Sequence, residues 1–81
     1  MRLEFGVRVY ETANKVSEPV EVFSAQFARV PVIGDVLKAS AKCPDAIDCR
    51  VFEVEFYCYH ARLSIEYEQE IVGWIDAVRM T

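Results

Sequence analysis

The stretch "CRVFEVEFYCYH", residues 49–60, carries the clearest structural pattern in the chain. Apolar and polar side chains alternate along it with a period of two, which is the spacing of a half-buried β-strand. One face of the predicted strand carries Phe52, Val54, Phe56 and Cys58, and the other carries Val51, Glu53, Glu55, Tyr57 and Tyr59. We therefore predict that the first face packs on a core and that the second faces outward.

The same alternation occurs on both sides of this strand. Residues 2–11, "RLEFGVRVYE", predict another strand, with one apolar face formed by Leu3, Phe5, Val7 and Val9. Residues 61–70, "ARLSIEYEQE", alternate in the same way. We expect them to form a hairpin with the strand at 49–60, turning near Tyr59–Arg62.

Residues 20–30, "VEVFSAQFARV", have a strand pattern that changes parity. Val20 and Val22 fall on one face, whereas Phe23, Ala25 and Phe27 fall on the other. A parity change inside a strand predicts a bulge or a bend around Val22–Phe23. We expect this strand to form a hairpin with residues 2–11 through the polar loop between them.

Two segments fit either a strand or a helix. Residues 36–42 fit a short strand, but Asp35 could cap a short helix over the same residues. In residues 71–80, helical spacing relates Ile71, Trp74, Ile75 and Val78, yet the β-branched content favours a buried strand. We predict a strand for residues 71–80, with a helix as the alternative, and periodicity does not decide residues 36–42.

Together these elements predict the fold class. The 81 residues form one domain that is mainly β, a small antiparallel sheet of five or six strands that curls or closes into a barrel. At most one short helix is expected, and α+β is the alternative class. A chain of this length buries only about 60–65% of its unfolded surface, yet 53% of its residues are hydrophobic. We expect the surplus apolar surface to contact a second copy of the chain.

Charge and cysteine usage restrict the classes of partner. The formal net charge is −4 and the nine basic residues are scattered, which argues against binding to nucleic acid or to a membrane surface. The N-terminal residues lack the unbroken apolar stretch of a signal peptide, and no run approaches the length of a membrane span. We expect a cytoplasmic protein whose three cysteines are reduced.

The stretch "RVPVIGDV", residues 29–36, interrupts the alternation. Its single glycine excludes a Walker A loop and a dinucleotide-binding fingerprint, which need several glycines at fixed spacing. It also lacks the serine of a nucleophile elbow. We predict a structural turn in which Pro31 ends a strand, and Gly34 and Asp35 redirect the chain.

The candidate residues for a metal site or a Cys–His catalytic pair are Cys43, Cys49, Cys58 and His60. Their spacing lacks the short two-cysteine knuckle of a structural zinc site. Cys58 shares a face with apolar residues, and along a strand it lies too far from His60 for direct contact. We therefore predict no metal ion, no cofactor and no catalytic residue.

The candidate residues for an interface or a ligand site are Glu53, Glu55, Tyr57, Tyr59 and Trp74. Tyrosine combines apolar area with a polar group and is common at interfaces. A solvated, charged sheet face is the simpler explanation for the glutamates, and cross-strand packing also explains the tyrosines. If a ligand binds this face, acids and rings together suit a small apolar or cationic molecule.

The motif R-x-P-x-x-G-D at residues 29–35, with the later alternating "FEVEFY" strand, resembles a pattern in small uncharacterised bacterial proteins. Such proteins occur as orphan genes and in integron gene cassettes. The resemblance implies a small β-barrel-like fold and carries over no catalytic residue.

The sequence thus leads to a non-catalytic binding or interaction module that acts as a homo-oligomer. One alternative is a protein that binds a small apolar or cationic molecule. The other is a metal- or cysteine-dependent enzyme. No feature of the chain identifies a ligand or a process.

Overall fold

The computed structural model describes residues 3–57 and 71–80, and this part of the chain is mainly β. Its strands are β1 (Leu3–Tyr10), β2 (Glu21–Phe27), β3 (Val36–Leu37), β4 (Cys49–Phe56) and β5 (Gly73–Arg79). The described residues contain no helix, and so none that could cross a membrane. The predicted class and the strand within residues 71–80 are confirmed. The hairpin predicted near Tyr59–Arg62 lies outside the described residues.

The described strands form one mixed sheet, in the order β2-β1-β5-β4-β3, that curls into a half-barrel. Three neighbouring pairs are antiparallel, as predicted, whereas β1 and β5 run parallel. β5 enters the sheet between β1 and β4 and pairs antiparallel with β4, so the sheet is mixed and not fully antiparallel. Within this part of the chain, β1, β5 and β4 are interior strands and β2 and β3 are edge strands.

The hydrophobic core lies on one face of the sheet, which we call the core face; the opposite face is the outer face. Phe5, Val7 and Val9 on β1 are fully buried there, so the alternation predicted for residues 2–11 is confirmed. The Phe5 ring makes edge-on contacts with Phe27 on β2 and Phe56 on β4, with centroid separations of 6.1 and 5.7 Å. These contacts link three strands across the core face.

A bulge in β4 changes which of its side chains face the core. The register of β4 against β5 shifts between Val51 and Glu53, so Phe52 is the extra residue. Val51 and Val54 therefore share the core face, although a regular strand would place them on opposite faces. The predicted faces are wrong for Phe52 and for Val51, which is 1% exposed.

The other edge of the sheet, β2, is regular. It pairs with β1 without a register shift from Leu3↔Phe27 to Val9↔Glu21, so the bulge or bend predicted around Val22–Phe23 is wrong. The parity change has a different cause: Phe23 packs against the core, whereas Val22 lies on the outer face and is 51% exposed. An apolar residue on an open edge strand does not mark the core side.

Residues 36–42 begin as a strand and not as a helix. Val36 pairs with Arg50, and Leu37 pairs with Cys49. The Asp35 carboxylate accepts the N–H of Val32, which precedes it in the chain. Asp35 therefore closes the preceding turn instead of capping the residues that follow, and the alternative of a short helix over 36–42 is wrong.

Candidate functional site

The predicted turn lies between β2 and β3. Gly34 has a φ of 98°, and the Asp35 N–H donates to the Val32 carbonyl at 3.0 Å, an arrangement like that of a type II turn. The Asp35 carboxylate accepts Arg29 Nη1 and the Val32 N–H, each at 2.9 Å. These hydrogen bonds, above all that from Arg29, lower the pKa of Asp35 below its ordinary value. Pro31 is buried beside this turn, but β2 already ends at Phe27, so the prediction that Pro31 ends a strand is wrong.

The outer face brings together most of the residues predicted for an interface or a ligand site. In the β4–β5 register, Glu53 lies opposite Asp76, and Glu55 lies opposite Trp74. Tyr57 directly follows β4. Tyr59, the remaining residue of that prediction, lies outside the described part of the chain.

Asp76 is the centre of an ion-pair network on this face, which we call the outer-face network: Arg8, Lys15, Glu53, Glu55 and Asp76. Asp76 is only 1% exposed. Arg8 Nε lies 2.7 Å from its Oδ1, and Lys15 Nζ lies 2.6 Å from its Oδ2. Arg8 also contacts Glu55 at 3.3 Å, and Lys15 contacts Glu53 at 3.0 Å. A carboxylate buried this deeply requires such partners.

The network neutralises most of its own charge. Hydrogen bonds to Asp76, and then to Glu53, raise the pKa of Lys15 above its ordinary value of 10.5, so both cations are charged at neutral pH. Among the described residues, the one group of three side chains arranged like metal ligands is Glu53, Glu55 and Asp76, whose oxygens lie within 4.8 Å of one another. Arg8 and Lys15 already bind all three carboxylates, which makes the cluster a structural ion-pair network.

Aromatic rings flank the network on its Arg8 side. Gly6 pairs with Trp74, and a Cβ on Gly6 would lie 2.5 Å from the indole ring. Glycine at this position therefore lets the indole lie against β1. The Arg8 guanidinium lies 4.8 Å from the indole centroid, a cation–π arrangement. The indole Nε1 donates to the Tyr57 hydroxyl, so two of the predicted residues, Tyr57 and Trp74, are in contact.

The Lys15 side of the network is formed by the loop between β1 and β2. Lys15 has a φ of 57°, a left-handed conformation that is uncommon for a residue with a side chain. Its ammonium lies 5.8 Å from the Phe52 ring, which in turn packs edge-on against Tyr10 with a centroid separation of 6.0 Å. The loop thus folds back over the outer face, and ion pairs hold Lys15 in its strained conformation.

The cysteines occupy unrelated environments. Cys49 belongs to the core, and burial raises the pKa of its thiol to about 11, so the thiol stays protonated at neutral pH and is a poor nucleophile. Cys43 is a free, half-buried thiol in the segment between β3 and β4. Cys58 and His60 lie outside the described residues.

The outer edge of β2 is a second candidate site. We use "β2 edge" for the backbone of Glu21–Phe27 on the side away from β1; no described strand pairs with it. Two grooves of about 490 and 560 Å³ run beside this edge. Both are lined by Ser24 from the middle of β2 and by Cys43 from the opposite wall.

The prediction from sequence missed Arg8, Lys15 and Asp76. Asp76 had a usable signal, because a carboxylate within the apolar run "GWIDAV" needs a cation if that strand is central. Arg8 becomes its partner only through the pairing of β1 with β5, which local alternation does not specify. Lys15 reaches Asp76 only through the fold of its loop.

No family model, curated protein or solved structure matches this chain. The resemblance to small bacterial cassette proteins therefore stays a prediction, and function has to be inferred from the geometry of the two sites.

Proposed function

We propose that this protein is a small non-catalytic interaction module that self-associates through the β2 edge. The observation that carries the proposal is the seven-residue backbone edge to which no other described strand is paired. An open strand edge presents N–H and C=O groups at the spacing that another strand requires. A second copy of the chain is the partner that the surplus apolar surface leads us to expect.

The composition of β2 supports this use of its edge. Natural edge strands are usually blocked by lysine, proline, a bulge or short length. β2, "EVFSAQF", has neither lysine nor proline, its register is regular, and Glu21 is its only charged residue. At the other edge, β3 is two residues long and is followed by Lys38. Association through β2 is therefore favoured over association through β3.

Ligand binding and catalysis have weaker support. A cationic ligand on the outer face would compete with Arg8, which already lies over the Trp74 ring. The groove lined by Phe27 and Leu37, among others, measures only about 260 Å³, less than the roughly 300–1,000 Å³ of typical ligand sites. The two larger grooves beside the β2 edge have charged residues in their linings, among them Glu4, Lys42 and Asp45. A cysteine-dependent enzyme would have to work without Cys49, whose thiol is protonated in the core.

Light scattering coupled to size-exclusion chromatography tests the proposal. We expect a mass that rises above the 9.3 kDa of one chain as the concentration reaches the micromolar range. Ser24→Lys adds an ammonium group to the middle of the edge and should return the chain to a monomer, because a lysine on an edge strand disfavours pairing with another strand. A wild-type chain that is monomeric at every concentration refutes the proposal.

The matched control is Ser17→Lys, the same substitution at an exposed position in the loop between β1 and β2. It changes the net charge equally and should leave the association unchanged. Equal loss of association in both variants would assign the effect to net charge and not to the β2 edge.

A further inference from the structure

We infer that two copies of this chain pair their β2 strands antiparallel, with Ser24 at the two-fold axis, so that one continuous sheet runs through both copies. This inference rests on the proposed function and specifies the partner and the register of the same edge. A two-fold interface uses the same surface on both copies, which an antiparallel pair of identical strands satisfies.

Symmetry limits the possible registers. Residues opposed in an antiparallel pair share one face of the sheet. In β2, Phe23 and Ala25 are on the core face, and Ser24 lies between them on the outer face. The core faces of both copies must lie on the same side of the joined sheet. The two-fold axis must therefore pass between the two copies of one residue, so that this residue lies opposite itself.

The length of the ladder selects Ser24 as that residue. With the axis at Ser24, all seven residues of β2 are paired, because it is the central residue of Glu21–Phe27. An axis at Phe23 or at Ala25 pairs only five of these residues with one another. The Ser24 register thus forms the most backbone hydrogen bonds along the open edge.

Side-chain size and charge agree with this register. On the core face, Phe23 of one copy opposes Ala25 of the other, so a large residue meets a small one on both sides of the axis. An axis at Phe23 would oppose two phenyl rings instead. Glu21, the one charge of the strand, opposes Phe27, so no like charges face each other.

Two grooves run along the side of β2 on which the second copy is expected. The grooves beside the β2 edge meet at Ser24, and their far wall is formed by residues 40–47. A strand paired with β2 lies about 4.8 Å from it, on the side where these grooves run. In this arrangement the partner strand lies between β2 and residues 40–47.

Disulfide trapping tests the register. Ser24→Cys is made in a Cys43→Ser background, because Cys43 lines the same grooves and would compete for the new thiol. Two opposed residues at the axis have Cα atoms about 4.5–5.5 Å apart, within the roughly 4.4–6.8 Å that a disulfide spans. Under mild oxidation we expect most molecules to migrate as a disulfide-linked dimer on a non-reducing gel. After reduction they should migrate as the monomer.

Two further variants in the same background act as matched controls. Gln26→Cys alone should stay monomeric on the gel, because the two copies of residue 26 lie roughly 14 Å apart along the strands. A mixture of Gln26→Cys and Val22→Cys should form the mixed disulfide, because these residues oppose each other in the Ser24 register. Circular dichroism confirms that each variant keeps the wild-type fold.

The outcomes separate the register from the proposed function. A chain that associates by light scattering, but in which Ser24→Cys cross-links only with Val22→Cys or with Gln26→Cys, overturns the Ser24 axis and leaves self-association standing. A monomeric wild-type chain overturns both. Amide hydrogen exchange provides a check on the unmodified chain: alternate amides of β2 should exchange more slowly at high concentration, and exchange independent of concentration overturns the paired edge.

Discussion

Arg8 and Asp76 lie side by side on the parallel strands β1 and β5, and Arg8 Nε donates to Asp76 Oδ1 at 2.7 Å. The two residues are 68 positions apart in the chain. Arg8 Nη2 reaches the second carboxylate oxygen at 3.4 Å, so the contact is two-pronged. This pair links β1 and β5 on the outer face, opposite the hydrophobic contacts that link them on the core face.

Asp76→Ala should be the most destabilising substitution in the outer-face network. It removes charge-assisted hydrogen bonds to Arg8 and Lys15 and leaves these two cations beside each other. We expect the free energy of unfolding to fall by about 2–4 kcal/mol, toward the lower end of the range for broken buried pairs because both cations are partly exposed. Urea denaturation at neutral pH measures this loss.

Glu55→Gln is the matched control for Asp76→Ala. Glu55 contacts the same Arg8, but its side chain is 47% exposed, and exposed pairs contribute about 0–1 kcal/mol. A loss from Glu55→Gln as large as that from Asp76→Ala would contradict the central role of the buried carboxylate.

Two substitutions at Lys15 should separate the stability contributed by its ion pairs from the cost of its left-handed backbone conformation. Both Lys15→Ala and Lys15→Gly remove the ion pairs to Asp76 and Glu53. Glycine also relieves the left-handed φ of 57°, whereas alanine keeps it. We therefore expect Lys15→Gly to be more stable than Lys15→Ala by about 1 kcal/mol in thermal or urea denaturation. If alanine were equal or better, the loop would not hold this conformation in solution.

Local alternation predicted the parts of the fold that depend on local sequence. The alternation in residues 2–11 predicted β1, because burial on the core face repeats every second residue, and the β-branched content of residues 71–80 predicted β5. The bulge at Phe52 was not predictable from local sequence. One extra residue changes the face of the residues before the bulge relative to those after it, and the composition of the strand shows no sign of this. Strand order was also beyond local patterns, and the Arg8–Asp76 pair depends on it. The partners of Glu53 and Glu55 could therefore not be found from their own strand.

The cost of substituting Gly34 should depend on how well the new residue adopts a positive φ, and not on contacts of its side chain. A Cβ at this position would meet no atom within 4 Å, but the φ of 98° is unfavourable for residues with a side chain. The turn is also fixed to β4, because the Gly34 N–H donates to the Val51 carbonyl at 2.9 Å. We expect Gly34→Ala to cost about 1–2 kcal/mol, with Gly34→Val worse and Gly34→Asn milder. Thermal denaturation of the three variants gives the order, and equal losses would indicate a packing effect instead.

The ionised Asp35 carboxylate should stabilise the fold at neutral pH, and this stabilisation should be lost in acid. Its pKa is lowered in the folded chain, first by the hydrogen bond from Arg29 and then by that from the Val32 N–H. A carboxyl group whose pKa is lowered by folding stabilises the fold above its ordinary pKa of 3.8, and this stabilisation is lost as the pH falls through the folded-state pKa. We therefore expect the difference in denaturation midpoint between wild type and Asp35→Asn to shrink from about pH 6 to about pH 2.

Arg29→Gln removes the hydrogen bond that contributes most to the lowered pKa of Asp35. Without the guanidinium, the pKa of Asp35 should move back toward its ordinary value, because only the Val32 N–H still binds the carboxylate. The pH-dependent part of the Asp35→Asn effect should then be smaller in the Arg29→Gln background than in the wild type. An Asp35→Asn effect that is the same at every pH would mean that the carboxylate acts through the shape of the turn and not through its charge.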